Sequence, residues 1–438
     1  MNRRLQERFI LILLPFALIL GCGSLLIASP LLENAQFWID KVQNPGLPLL
    51  SPEEIRIMNE ENLKKQELSL ARMRDLKEEW TREEIFSLLK EDWEEFGDSG
   101  ENSLRKNFNQ ESFRERNRMV FAMIIKRTDV RVFPTTEPSM NPKVHPEFDQ
   151  FQHSSITPGT PIGIYHFGKD GSWAYAQSGF IRGWIRTDAI AFATEKRDVV
   201  DYEEAKDRLV ITGDGVPIFG DPSFRQPIYV AQMGNSYPWS GKRDRVNTLR
   251  IPFRETDGRL SFRTGYLRGD ADVRLGFLPF TQESLARQAF KMLHQPYSWG
   301  EKIEGRDCSR FIVDLFGTFG ILMPRNSKQQ AQIGTSLGEV KGKTEKEKES
   351  ILYHSVPLAT TLRIPGHIML YLGKDHGKYY VIHSLWGIQV PRPSDPKLEK
   401  IGKVIVSDLT LGKSGPHGSL LQRLTEIRFV GKGKKQHP

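Results

Sequence analysis

The chain has 438 residues, of which 38% are hydrophobic and 10% aromatic, and carries a formal net charge of +8. That length predicts about three domains, and that composition excludes global disorder. The modest basic excess, with no dense basic stripe, suits an anionic polymer or a membrane surface and argues against nucleic-acid binding. Two cysteines, Cys22 and Cys308, rule out a disulfide framework and a cysteine-rich zinc site, and no cofactor is expected.

Arg3, Arg4 and Arg8 precede an apolar run, Phe9 to Leu20, of signal-peptide length. Ile19-Leu20-Gly21-Cys22 ends it and resembles a bacterial lipobox, so residues 1–21 are expected to be removed and Cys22 to carry lipid. The alternative is an uncleaved anchor helix running on to Ile27. Either reading puts the body outside the cytoplasm, held at a membrane. Residues 22–118 read as a helical packing segment: Ser51-Pro52-Glu53-Glu54 has the form of a helix start, and Ile85, Leu88, Leu89 and Trp93 form one apolar stripe.

Residues 119–198 and 199–280 read as two small β-barrels of short strands and turns. The expected strands of the first are 121–125, 161–165, 173–176 and 183–185; those of the second are 209–212, 217–219, 227–230 and 275–278. Lys169-Asp170-Gly171 and Asp214-Gly215 supply turn residues. Residues 281–430 are mixed α+β, with helices over 282–293 and 308–319, strands within 364–390, and a charged insertion, 339–350, read as an exposed loop. Residues 431–438 form a basic tail.

Chemistry concentrates in this last region. Cys308 opens a helix whose apolar positions are Phe311, Ile312, Leu315, Phe316 and Phe319, and a helix N-terminus is expected to lower a thiol pKa below about 8.5. A thiolate needs a base and an orienter. A hairpin centred near Asp375 would set His367 and His383 opposite each other, about 4.5–5.5 Å apart at Cβ. Gly334-Thr335-Ser336-Leu337-Gly338 matches a serine nucleophile elbow but lacks its strand and helix, and is set aside.

Tyr297-Ser298-Trp299-Gly300, Asp307-Cys308-Ser309, Pro324-Arg325-Asn326-Ser327 with Gln329 and Gln330, Gly366-His367 to Gly373, and His383 together resemble the NlpC/P60 cysteine peptidases of bacterial cell-wall metabolism. The preceding regions resemble the multidomain members, in which a helical segment and two bacterial SH3-like barrels precede a papain-like peptidase domain. The resemblance implies hydrolysis of the γ-D-glutamyl–diamino acid bond in peptidoglycan stem peptides, with Cys308 as nucleophile, His367 as base and His383 as third member. It also implies a substrate-binding pocket lined by Asp307, Ser309, Tyr297 and Ser327, the first two meeting a free amine. Two departures stand out: Phe180-Ile181-Arg182 lacks the tyrosine such relatives place before Gly183-Trp184, and Arg310 replaces a small residue. The alternatives are a non-catalytic peptidoglycan-binding lipoprotein, and an amidase or acyltransferase using the same triad.

Overall fold

The computed structural model describes residues 30–94, 102–140, 147–390 and 397–432. Cys22 and the expected signal segment lie outside the described residues, as does the tail beyond Lys432. Among those residues, no helix is long and apolar enough to cross a membrane.

Ser51 starts the helix Pro52–Leu63 as its sequence requires: its hydroxyl accepts the Glu54 N–H, and the Glu54 carboxylate accepts the Ser51 N–H at 2.9 Å. The helix Arg82–Glu94 buries Ile85, Leu89 and Trp93. The segment is not purely helical, however. Pro48–Leu50 pairs with Phe280–Thr281, and Glu79–Thr81 pairs with Arg116–Arg118, because these linkers meet backbone edges that need partners. Trp38, Leu50, Ile55 and Leu68 enter the core of the carboxy-terminal domain, whereas Met73, Ile85, Leu89 and Phe108 enter that of the first sheet. The segment thus straps the two domains together.

The first domain is a seven-stranded antiparallel sheet in the order 190–192, 120–124, 161–167, 173–177, 182–186, 128–131, 152–156. Its four expected strands are present; Gln152–Ile156 is polar and escaped the hydrophobic pattern. The next sheet also has seven strands, including long ones at Ser236–Arg243, Val246–Arg254 and Leu260–Arg268. These alternate with exposed arginines and lysines, which hid them. Val273–Leu275 is a strand, but 276–278 is not, which corrects that expectation. Gly171 and Gly215 do adopt positive φ, at 69° and 77°.

In the carboxy-terminal domain the helices Gln282–Lys291 and Cys308–Gly317 precede a six-stranded sheet in the order 335–336, 426–429, 360–364, 367–375, 378–390, 397–408. The charged insertion is a loop only over 339–344; from 345 on it is helical, which corrects that expectation. Its second half enters the helix Glu345–Tyr353, started by a Thr344–Glu347 capping box and anchored by its own buried Leu352.

Candidate active site

The hairpin 367–390 is not centred at Asp375. It turns at His376-Gly377, whose φ values of 42° and 81° suit a tight turn, and the ladder runs Asp375 to Lys378, Lys374 to Tyr379 and Gly373 to Tyr380. In that register His383 would face Leu370, and the two histidines would project from opposite faces, because facing alternates with every residue. One extra residue, Leu372, bulges between Tyr371 and Gly373, and the register beyond becomes Tyr371 to Val381 and Leu370 to Ile382. His383 then lies across from Met369, diagonal to His367 on the same face. The expected directly opposed pair is thus corrected to a diagonal one. His367 Nε2 and His383 Nδ1 lie 2.7 Å apart, and His383 Nε2 lies 3.1 Å from the Ser407 hydroxyl.

One set of tautomers in that chain leaves His367 able to act as a base. His367 can act as a base only through Nδ1, since Nε2 is occupied; Nε2 therefore carries its proton and donates to His383 Nδ1, and His383 donates from Nε2 to Ser407. Taking a second proton at Nδ1 leaves every one of these bonds in place. Burial, then the nearby Arg423 charge, lowers the His367 pKa to about 4. Burial, then His367, holds His383 well below its ordinary value. Both rings are neutral at pH 7.

Cys308 is the first residue of its helix, and Asp307 caps it by accepting the Arg310 N–H at 2.9 Å. The hairpin ladder ends at Leu370 to Ile382, two residues short of Ile368, which pairs with Arg363 on the neighbouring strand. The expectation of a lowered thiol pKa fails. Burial, then the Asp307 carboxylate, raises it to about 12, against which the Ile368 and Ser309 N–H groups and Arg325 act only in part. At pH 7 the Cys308 thiol and the His367 imidazole are therefore both neutral and do not form an ion pair.

Asp307 and Ser309 sit within a buried polar network. Arg325 donates to Asp307 Oδ2 at 2.6 Å, to the Ser309 hydroxyl at 2.6 Å, to the Ser154 hydroxyl at 2.8 Å and to Glu301. Burial alone would raise the Asp307 pKa, but Arg325 brings it below the usual value. A substrate amine at Asp307 would thus meet a carboxylate already paired with a guanidinium. Glu301, fully buried, also accepts the Ser154 hydroxyl and the Ser155 N–H from the first sheet. Arg310 does not face a cleft: it reaches Asp314 at 2.6 Å, the Ser155 carbonyl at 3.1 Å and Gln232 of the second sheet at 3.0 Å. Arg306 joins Asp314 to Asp214. Glu301 and this three-domain junction were missed in the sequence, since a lone Glu after Trp-Gly follows no period.

Tyr297 is buried beside Cys308 and Asp307, and burial, then those two groups, raises its pKa well above the ordinary value. Phe148, in the connection before the strand 152–156, stacks on Trp299 at 4.4 Å and reaches Tyr297 at 6.1 Å. Ser327 begins the short helix Ser327–Gln330 and is half-buried. At the position where a tyrosine was expected, Phe180 accepts the Arg325 N–H on its carbonyl and lies under the Arg310 guanidinium. Thr335 and Ser336 of the rejected elbow form an edge strand paired with Arg428 and Phe429. The described residues contain no group of His, Cys, Asp and Glu arranged to hold a metal.

Residues 294–400 match the NlpC/P60 family. That match lies within the carboxy-terminal domain. Residues 140–186, which hold four strands of the first sheet, match an SH3 domain of the SH3b1 type. The fold is similar to that of an NlpC/P60 endopeptidase from Photobacterium damselae subsp. piscicida, with a TM-score of 0.71 and 19% identity over 91% of this chain and 97% of that one. An NlpC/P60 family protein from Bacillus cereus aligns with a TM-score of 0.47 and 15% identity over 71% of this chain and 99% of that one. The peptidoglycan hydrolase RipB from Mycobacterium tuberculosis aligns with a TM-score of 0.22 and 19% identity over 35% of this chain and 65% of that one. No curated protein sequence matches the chain.

Proposed function

We propose that the protein is a cysteine endopeptidase that hydrolyses the bond between γ-D-glutamate and the diamino acid of peptidoglycan stem peptides. What supports this reading is the hydrogen-bonded series of His367, His383 and Ser407 inside the segment that matches NlpC/P60, together with Cys308 at the N-terminus of a helix. His367 Nδ1 takes the thiol proton as sulfur attacks the γ-carbonyl. The Cys308 N–H, which has no acceptor among the described residues, stands at the helix end where an oxyanion gains most. The imidazolium then returns its proton to the leaving amine, and water hydrolyses the thioester by the same route. Asp307, Ser309, Tyr297 and Ser327 are proposed to line the substrate pocket, and the second seven-stranded sheet to be another SH3-like domain.

Mass spectrometry of muropeptides tests this. The protein should produce fragments ending in γ-D-glutamate, and Cys308→Ala should abolish them without lowering the melting temperature; cleavage by that variant, or cleavage only at an amide bond to a sugar, refutes it. Cys22 is proposed to carry the lipid that holds the protein at the outer side of a membrane. Palmitate labelling lost in Cys22→Ala supports that anchor, and unlabelled wild-type protein refutes it.

A further inference from the structure

Arg423 ends a short helix, Leu420–Arg423, that covers the sheet face bearing the two histidines. Leu420, Leu421 and Leu424 pack there with Met369, Tyr371 and Val381, and Met369 and Tyr371 alternate on the same face as His367. Just beyond, the Thr425 N–H bonds the Arg363 carbonyl, and Arg363 and Ile364 pair with Ile368 and His367. The arginine is thereby fixed at the His367 end of the sheet.

Its side chain is half-buried and makes no hydrogen bond, ion pair or ring contact among the described residues. The other arginines at this edge are engaged: Arg363 holds Glu426 at 3.0 Å, and Arg428 donates to the Ala331 carbonyl at 2.7 Å. Glu426, the nearest acid along its own chain, is taken by Arg363 and Thr425. A half-buried guanidinium with no protein acceptor is open to a ligand, and a carboxylate in bidentate contact is the ligand that best satisfies it. Burial lowers the Arg423 pKa with nothing opposing it, and Arg423 in turn helps keep His367 neutral.

We propose that Arg423 binds a substrate carboxylate close to the scissile bond. This rests on the reading of the substrate as a γ-linked glutamyl peptide, because a γ-linkage leaves the glutamate α-carboxylate free within a few bonds of the reacting carbonyl. Binding there also cancels the positive charge that disfavours the imidazolium, so the base strengthens when substrate arrives.

The test compares wild type, Arg423→Gln and Arg423→Lys on two synthetic tripeptides, one with glutamate and one with its α-carboxamide, alongside Cys308 alkylation by iodoacetate and by iodoacetamide. Wild type should prefer the carboxylate peptide by at least tenfold in kcat/KM. The Gln variant should lose that preference, mainly through KM, while the Lys variant retains most of it. The iodoacetate-to-iodoacetamide rate ratio should fall severalfold in the Gln variant. Equal cleavage of both peptides by wild type, or an unchanged preference in Arg423→Gln, overturns the assignment. If wild type cleaves neither peptide, the proposed activity is refuted instead; an alkylation ratio that Arg423→Gln leaves unchanged then overturns the carboxylate site, and a lowered one upholds it.

Discussion

Replacing His383 by leucine tests the relay most directly, because that side chain is fully buried and its Nδ1 is the acceptor, at 2.7 Å, of the only Nε2–H that His367 has. Leucine fills the space but accepts nothing, and leaves the His367 Nε2–H buried without a partner. The loss grows when His367 becomes an imidazolium in the transition state, since a hydrogen bond to a charged group contributes about 1.5–3 kcal/mol. That range corresponds to about a 10- to 150-fold loss of kcat/KM. Asparagine places an amide oxygen where Nδ1 stood and restores the acceptor, so His383→Asn should retain activity within about fivefold, the residual loss reflecting the abandoned Ser407 contact. Kinetics on a stem tripeptide give the comparison, and melting curves with Cys308 alkylation rates show whether the pocket stays folded. A leucine variant within threefold of wild type would refute the relay, as would leucine and asparagine variants that lose activity equally.

Because Cys308 titrates near 12, its alkylation by iodoacetamide should be slow at pH 7 and rise about tenfold per pH unit up to pH 9; a plateau near neutrality would reveal a thiolate ion pair. His367 titrates near 4 and must be neutral to act, so kcat/KM should persist as pH falls to about 5 and drop only through 4; loss centred at 6.5 would contradict its burial. The same depressed pKa makes the unfolded chain bind more protons between about 4 and 6.5, so this histidine's stabilisation is complete above 6.5 and disappears as pH falls through that window. Glu301→Ala leaves Arg325 and Arg310 undercompensated in a buried junction; a cost of about 3–5 kcal/mol lowers the melting temperature by roughly 10 °C, and a change under 2 °C would show the junction to be unimportant. Gly373 sits at φ 136° beside the bulge, and Gly373→Val should cost about 1–3 kcal/mol and greatly reduce activity by disturbing the histidine register; unaltered activity would separate the bulge from the site.

What the sequence showed plainly were features built from local chemistry. The Ser51–Glu54 capping box, the Ile85 to Trp93 stripe and the start of the Cys308 helix each depend on residues within one or two turns. The presence of two histidines on neighbouring strands was equally legible, but not their facing, because one bulged residue reverses it and Leu372 resembles any other strand leucine. The polar strand Gln152–Ile156 was hidden for the opposite reason: its Ser154 hydroxyl and Ser155 N–H meet a buried carboxylate of another domain, so its pattern carries no apolar period. The thiol pKa failed as a local argument too. A helix end offers Cys308 N–H groups, but the fold also buries it and sets a carboxylate beside it, and those long-range effects dominate.

These failures point the same way. The elements that decide chemistry here, Glu301 beneath Arg325, Arg423 beside His367 and the first sheet behind both Asp307 and Arg310, come from separated stretches of chain and act through charge in a site that excludes water. In such surroundings a resting ion pair at Cys308 and His367 would require desolvating both charges, whereas the neutral pair costs little. Proton transfer then becomes favourable only when a substrate brings its own charge, so reactivity is tied to occupancy. A protonated thiol of this kind resists oxidation as well as adventitious acylation, since both need the thiolate. Exposure to dilute hydrogen peroxide should accordingly oxidise Cys308 far more slowly than free cysteine at the same pH, and oxidation as fast as that of the free thiol would show that the resting nucleophile is already ionised.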